Sequence, residues 1–248
     1  MADPLLGSTS RLERALLCPA SSVLHKEERE SGEAAKKGKR IHRFLELAPE
    51  DKELALREAG KNRKTCEKID ITETAGYYTK PDLRERGMVF HADSGTVTVL
   101  PKTDQERHYG VLTENDVPGT ADVIIPGFSS LEIADYKTGR HPVFPRHPET
   151  GKPNIQLLHL AMMAGLSIAR HAKTFVLTIQ QLLAYGKWKT TSTKVDRFDI
   201  EEHAERVQKQ LIVAKKAKED FQNGIHPKTV VGSHCTYCPC QAHCPEWS

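Results

Sequence analysis

The chain has 248 residues, 38% hydrophobic and 28% charged, with a net charge of only +3. That is one sizeable domain, or one domain with a small appendage, and the charge is too balanced to announce a nucleic-acid binder. No stretch approaches the roughly 18 apolar residues of a membrane span, and the N-terminus lacks the apolar core of a secretory signal. A cytoplasmic setting is therefore expected, in which the six cysteines are ligands or spares rather than disulfides.

In chain order, residues 8–24, STSRLERALLCPASSVL, predict a short helix after a Ser/Thr cap. Residues 30–48 predict a second helix around His42, with the basic run Lys36, Lys37, Lys39 and Arg40. Residues 49–115 are the least informative: a charged helix first, then GMVFHADSGTVTVLP, whose DSG predicts a hairpin. GTADVIIPGFSSLEIADYKTG, from Gly119 to Gly139, predicts strand, turn, strand. PRHPETGKPN is a loop with three prolines, and IQLLHLAMMAGLSIARHA has the apolar density of a buried helix. KTFVLTIQQLLAY predicts a strand. Residues 199–224 predict a long amphipathic helix, capped by Asp199 and ended by Gly224. The tail from 225 to 248 is loop-like and crowded with cysteine. Strands interleaved with helices predict an α/β fold with a mixed central sheet flanked by helices. The expected organisation is one domain over 1–248: N-terminal helices (1–48), a helical and hairpin insertion (49–115), a core (116–224) and a cysteine tail (225–248).

Asp122, Asp135 and Lys137 sit in stretches that a strand would rather keep apolar. Side chains alternate along a strand, so Leu131, Ile133, Asp135 and Lys137 share one face. A hairpin would bring Asp122 close to Asp135. Two carboxylates at close range repel, and a divalent cation removes that cost. Hard oxygen ligands suit Mg²⁺ or Mn²⁺, and Lys137 would reach the same point to place a water or to neutralise a phosphoryl oxygen. The bland alternative is a surface hairpin with a solvated Asp–Lys pair of little energetic worth.

Asp122, then twelve residues, then Asp135-Tyr136-Lys137 resembles the PD-(D/E)XK nuclease signature. GTAD and DYKTG resemble its form in the RecB-like branch. That branch carries a helical G-x-x-x-H, for which GKRIH supplies Gly38 and His42. It also carries a downstream Q-x-x-x-Y, for which QLLHL supplies Gln156 but has Leu160 in place of Tyr. The resemblance implies a restriction-endonuclease-like core, His42, Asp122 and Asp135 as ligands for Mg²⁺ or Mn²⁺, and Asp122, Asp135, Lys137 and Gln156 as the catalytic set. It implies DNA as substrate, with cleavage leaving a 5′-phosphate. The basic runs Lys36–Arg40 and Lys209–Lys218 can track a phosphate backbone or be solvated helix faces.

Cys235, Cys238 and Cys244 lie within ten residues, with Cys240 between them and Cys18 far upstream. Thiolates at that spacing grip a metal centre. The pattern, one distant N-terminal cysteine and C-x-x-C-x-x-x-x-x-C at the end, resembles the iron–sulfur RecB-like nucleases, among them the CRISPR-associated exonucleases of antiviral defence and the AddB subunit. It implies a structural [4Fe–4S] cluster on Cys18, Cys235, Cys238 and Cys244, with Cys240 left over. A Zn²⁺ ion in the same thiolates, or thiols without a metal, are the alternatives. The expected activity is a metal-dependent exonuclease on single-stranded DNA ends. A weakly cutting DNA- or partner-binding module, and a phage recombination exonuclease, are the rival readings.

Overall fold

The computed structural model describes residues 3–24, 26, 32–102, 109–139, 141–236 and 238–247. Glu30 and Ser31, read above as the start of the second helix, and Tyr237 of the cysteine motif lie outside them. Six strands form one mixed sheet: β1 (Arg84–His91), β2 (Thr96–Val99), β3 (Asp116–Pro126), β4 (Ser130–Lys137), β5 (Thr174–Leu182) and β6 (Trp188–Asp196), in the order β2-β1-β3-β4-β5-β6. The helices are α1 (Leu12–Leu17), α2 (Glu33–Leu47), α3 (Lys52–Glu58), α4 (Arg63–Cys66), α5 (Ile155–Ser167) and α6 (Arg197–Gln222).

The chain divides into two compact units, one of 1–30, 87–119 and 198–248, the other of 31–86 and 120–197. In the second unit, β4 is antiparallel to β3 and parallel to β5. A parallel neighbour needs a crossover, and α5 supplies it. From Leu157 to Gly165 every residue of α5 is buried, as suits a helix apolar nearly all round. Gly165 is small by necessity, because a Cβ there would lie 2.6 Å from the Phe175 ring of β5. Arg197 closes the C-terminal end of α5, donating to the carbonyls of Gly165, Arg170 and Ala172 and standing 4.9 Å over the Phe175 ring. Ile41, Phe44 and Leu45 of α2 pack with Val123, Ala134 and Tyr136 in one apolar cluster.

In the first unit, α6 buries the stripe Ile200, His203, Val207, Leu211, Ala214 and Ala217, the spacing of a one-sided helix. Gln210 donates to the Ala15 carbonyl at 2.7 Å, tying α6 to α1. Lys218 pairs with Glu114 at 2.5 Å.

Two expectations need correction, and one strand lies where none was expected. The helix expected over 8–24 is only Leu12–Leu17, because Cys18 turns extended and Pro19 opens a separate 3-10 turn. Asp199 is not the cap of α6; the helix starts at Arg197 and Asp199 lies in its first turn, where a carboxylate suits the helix dipole. Strand β6, WKTTSTKVD, falls in a stretch whose polar pattern predicts no element. Among the described residues it pairs with β5 alone, an edge position, where the apolar signal of a central strand is not required.

Candidate active site

The hairpin sets the register of the charges. Pro126 pairs with Leu131 and Val123 with Ala134. One step further along that register puts Asp122 opposite Asp135. Both carboxylates are buried, 6% and 4% exposed. Desolvation of two such groups is costly unless each is compensated, and each has its own partners. The Tyr136 backbone N–H donates to Asp122 Oδ2 at 2.7 Å, and His42 Nδ1 lies 3.4 Å from Asp122 Oδ1. Asp135 Oδ2 is 2.6 Å from Lys137 Nζ, and its Oδ1 accepts from Gln156 Nε2 at 3.2 Å. Gln156 Oε1 in turn accepts from Lys137 Nζ at 3.3 Å. One amide thus bridges the ammonium and its carboxylate.

The expected residues come from four elements. Asp122 is on β3, and Asp135 and Lys137 are on β4. His42 comes from the face of α2 that it shares with Gly38, one turn earlier. A Cβ at Gly38 would lie 3.1 Å from Thr138 Oγ1, so the glycine lets the helix approach the segment that follows Lys137. Gln156 is the second residue of α5, whose N-cap Asn154 accepts from the Leu157 N–H. Leu160 of the same helix is fully buried; the position that departs from the Q-x-x-x-Y pattern is spent on the core.

A ligand group emerges that the sequence reading missed. His42, Glu85 and Asp122 each offer a donor atom within 4.8 Å of the others; Glu85 Oε1 is 3.6 Å from His42 Nδ1. Asp135 lies outside that trio, beside Lys137 and Gln156. Glu85 escaped notice because the hairpin reading began at Gly87, whereas β1 begins at Arg84. An acid between two arginines in RERG is the one signal available. Its backbone φ of +48° lies in the left-handed region that glutamate rarely adopts, a strain on the order of 1–3 kcal/mol. Arg84 holds it there, buried and donating to the Thr79 and Glu46 carbonyls and to Glu50.

The charges are unevenly divided. Burial would lower the His42 pKa, but the charge and hydrogen bond of Asp122, then Glu85, raise it well above the ordinary histidine value. Burial would raise Asp122, yet the His42 charge holds it below the usual carboxylate range. Asp135 is pushed up to about 6, by burial first and by the Asp122 charge second, against the pull of Lys137. A divalent cation would replace the proton of His42 as the compensating charge. The donor set, two carboxylate oxygens and an imidazole nitrogen, fits Mg²⁺ or Mn²⁺.

Five of the six cysteines, all but Cys66, gather in the other unit. Cys18, Cys235, Cys238, Cys240 and Cys244 line one open hollow, with Trp247 at its wall. Cys240 differs from the rest. It is 1% exposed, and its Sγ points at the carbonyls of Leu24 and Ser21, at 3.6 and 3.9 Å. Burial, then Cys238, push its thiol up to about 11. Burial and the two carbonyls favour the neutral thiol at this position, which weakens its claim to be a ligand. Of the two basic runs, Lys36, Lys37 and Lys39 are exposed on α2. The second run is largely paired: Lys209 with Glu205, Lys216 with Asp220, and Lys218 with Glu114.

A mixed sheet that presents carboxylates beside an ammonium, with an imidazole brought to them by α2, has the donors that metal-assisted hydrolysis uses. The family profile described as the PD-(D/E)XK nuclease superfamily matches residues 7–245, and the chain belongs to that superfamily. PD-(D/E)XK nucleases use divalent metals, and the nuclease fold implies DNA as substrate. No curated protein matches the sequence. Among solved structures, one named as an exonuclease from Eubacterium rectale is 12% identical, with 88% of this chain and 76% of that chain covered and a TM-score of 0.47. A second, SSO0001, is 14% identical, covers 97% of this chain and 98% of that chain, and has a TM-score of 0.33. Among the described residues, no helix is long and apolar enough to cross a membrane.

Proposed function

We propose that the chain is a Mg²⁺- or Mn²⁺-dependent deoxyribonuclease of the RecB-like branch, an exonuclease on single-stranded DNA ends. The observation that carries the reading is the bridge of Gln156 across Lys137 and Asp135, set beside the His42, Glu85 and Asp122 donors. A bound divalent cation would supply a Lewis acid on the scissile phosphate and acidify a water. The side chains do the rest. Asp122 and Glu85, with Asp135 adjacent, supply the negative charge that recruits the cation. Lys137, locked between Asp135 and Gln156, offers a fixed positive charge to the phosphoryl oxygens or to the attacking water. The exposed lysines of α2, on the helix that carries His42, suit a phosphate backbone.

The thiolates of Cys18, Cys235, Cys238 and Cys244 are proposed to hold a [4Fe–4S] cluster with a structural role, since four protein ligands leave no open position for water. Their convergence on one hollow supports this, and so does the separate fate of Cys240. The reading is tested with a 5′-labelled oligonucleotide, single- or double-stranded, with and without Mn²⁺. Loss of single-strand digestion on chelation, and in Lys137→Ala, is the expected result. Metal-independent cutting, or full activity of that variant, would remove the assignment. Anaerobically purified protein should be brown, absorbing near ~400 nm; a colourless, zinc-loaded protein would replace the cluster by zinc.

A further inference from the structure

Gln180 and Gln181, just before Leu182 closes β5, are two adjacent buried amides, 4% and 7% exposed. Strand alternation sends them to opposite faces of the sheet, and each grips a different loop. Gln180 accepts from the Ala75 N–H at 2.7 Å and donates to the Glu73 carbonyl at 3.1 Å and to Thr190. Gln181 donates to the carbonyls of Gly139, at 3.1 Å, and His141, at 2.9 Å, and accepts from the Val143 N–H at 3.4 Å. A buried amide is costly unless its donors and acceptor are all used. Gln181 directs all of these hydrogen bonds at one segment, the one that leaves the sheet directly after Lys137.

The placement matters because Lys137 is the last residue of β4. The ladder with β5 runs up to that point, where its register ends at Lys137 and Gln181. The parallel register sets Gln181 directly beside Lys137. The same amide therefore stands next to the lysine and pins the backbone two, four and six residues further on.

We propose that Gln181 is a positioning residue for Lys137: by clamping the exit of β4 it holds the ammonium against Asp135 and Gln156. This rests on the reading of Lys137 as a catalytic group. Gln180 is the internal control, a neighbouring buried amide with the same number of hydrogen bonds, two to the 73–75 segment and one to Thr190 of β6.

The test compares metal-saturated cleavage of a 5′-labelled single-stranded oligonucleotide by wild type, Gln181→Leu, Gln181→Glu, Gln180→Glu and Lys137→Ala. Misplacing a catalytic group by an ångström can cost on the order of a hundredfold. Gln181→Leu should therefore lose about tenfold or more in kcat, with KM within about twofold. Gln180→Glu should lower the melting temperature comparably and keep kcat within about twofold. Gln181→Glu carries a further signature. Its ionised carboxylate faces two carbonyl oxygens, while its protonated form regains a donor, so its kcat relative to wild type should fall as pH rises from about 6 to about 8.5. Activity in both Gln181 variants that merely tracks the stability loss of Gln180→Glu overturns the proposal. So does failure of both to fold where Gln180→Glu folds, since the role is then structural. If Lys137→Ala itself cuts like wild type, the nuclease reading falls, whatever the Gln181 variants do.

Discussion

The carboxylate site and the cysteine hollow are built by opposite means. The first is assembled by register. A hairpin, a parallel crossover and one helical turn bring hard oxygen and nitrogen donors together, buried and mutually strained in charge. The second is assembled from coil: Cys18 caps the end of a short helix, Cys235 closes a 3-10 turn, Cys240 and Cys244 flank another and Cys238 lies in coil, so little regular structure holds them. A site made by regular elements stays formed without its ion and stores an electrostatic cost that the ion relieves. A site made of loops needs its metal to stay closed. Removing a charge from the first should alter chemistry more than folding; removing a thiolate from the second should do the reverse.

Lys137→Ala is the sharpest way to break that contrast. It should cut the cleavage rate on the order of a thousandfold while thermal melting stays close to wild type; equal losses in both measurements would erase the distinction. Cys235→Ala comes next. Closing the loop from Cys18 to Cys235 is worth roughly 5 kcal/mol, so the melting temperature should drop by roughly 15 °C and the visible absorption should bleach, whereas Cys240→Ala should keep the colour. A colourless Cys240→Ala would make that buried thiol a ligand.

Glu85→Gly sharpens the picture on the other side. It removes a donor and also a left-handed glutamate. The half-saturating metal concentration should rise about tenfold or more, and the metal-free protein should gain on the order of 1 kcal/mol in chemical denaturation. No gain in stability would show that the strain is relieved elsewhere.

The smallest effect is on pH. His42 holds its proton above the usual range, so its contribution to stability is present at low pH and is lost as pH rises through its folded pKa. Asp135, raised to about 6, disfavours its own ionised form, so it also costs the metal-free fold stability on the alkaline side. The depressed Asp122 acts elsewhere, losing its contribution only as pH falls through the acid range. The cation binds the deprotonated groups. The gain in melting temperature on adding Mg²⁺ should thus widen by a few degrees from about pH 5.5 to about pH 8. A constant gain would mean that His42 and Asp135 stay clear of the bound ion.

By itself, the sequence determined the strand–turn–strand around the paired acids, the helices carrying His42 and Gln156, the buried crossover and the cysteine spacing, because each is written in local periodicity, turn chemistry or residue type. Only the tertiary structure decided the rest. Glu85 joins His42 and Asp122 through a strained backbone that no propensity forecasts, and β6 is a strand because β5 offers it an edge. Cys240 parts from its neighbours because two carbonyls bury it, and Gln181 reaches the exit of β4 because parallel pairing aligns residues 44 apart in sequence. Local pattern fixes which groups a chain carries to a site; long-range packing fixes which of them meet.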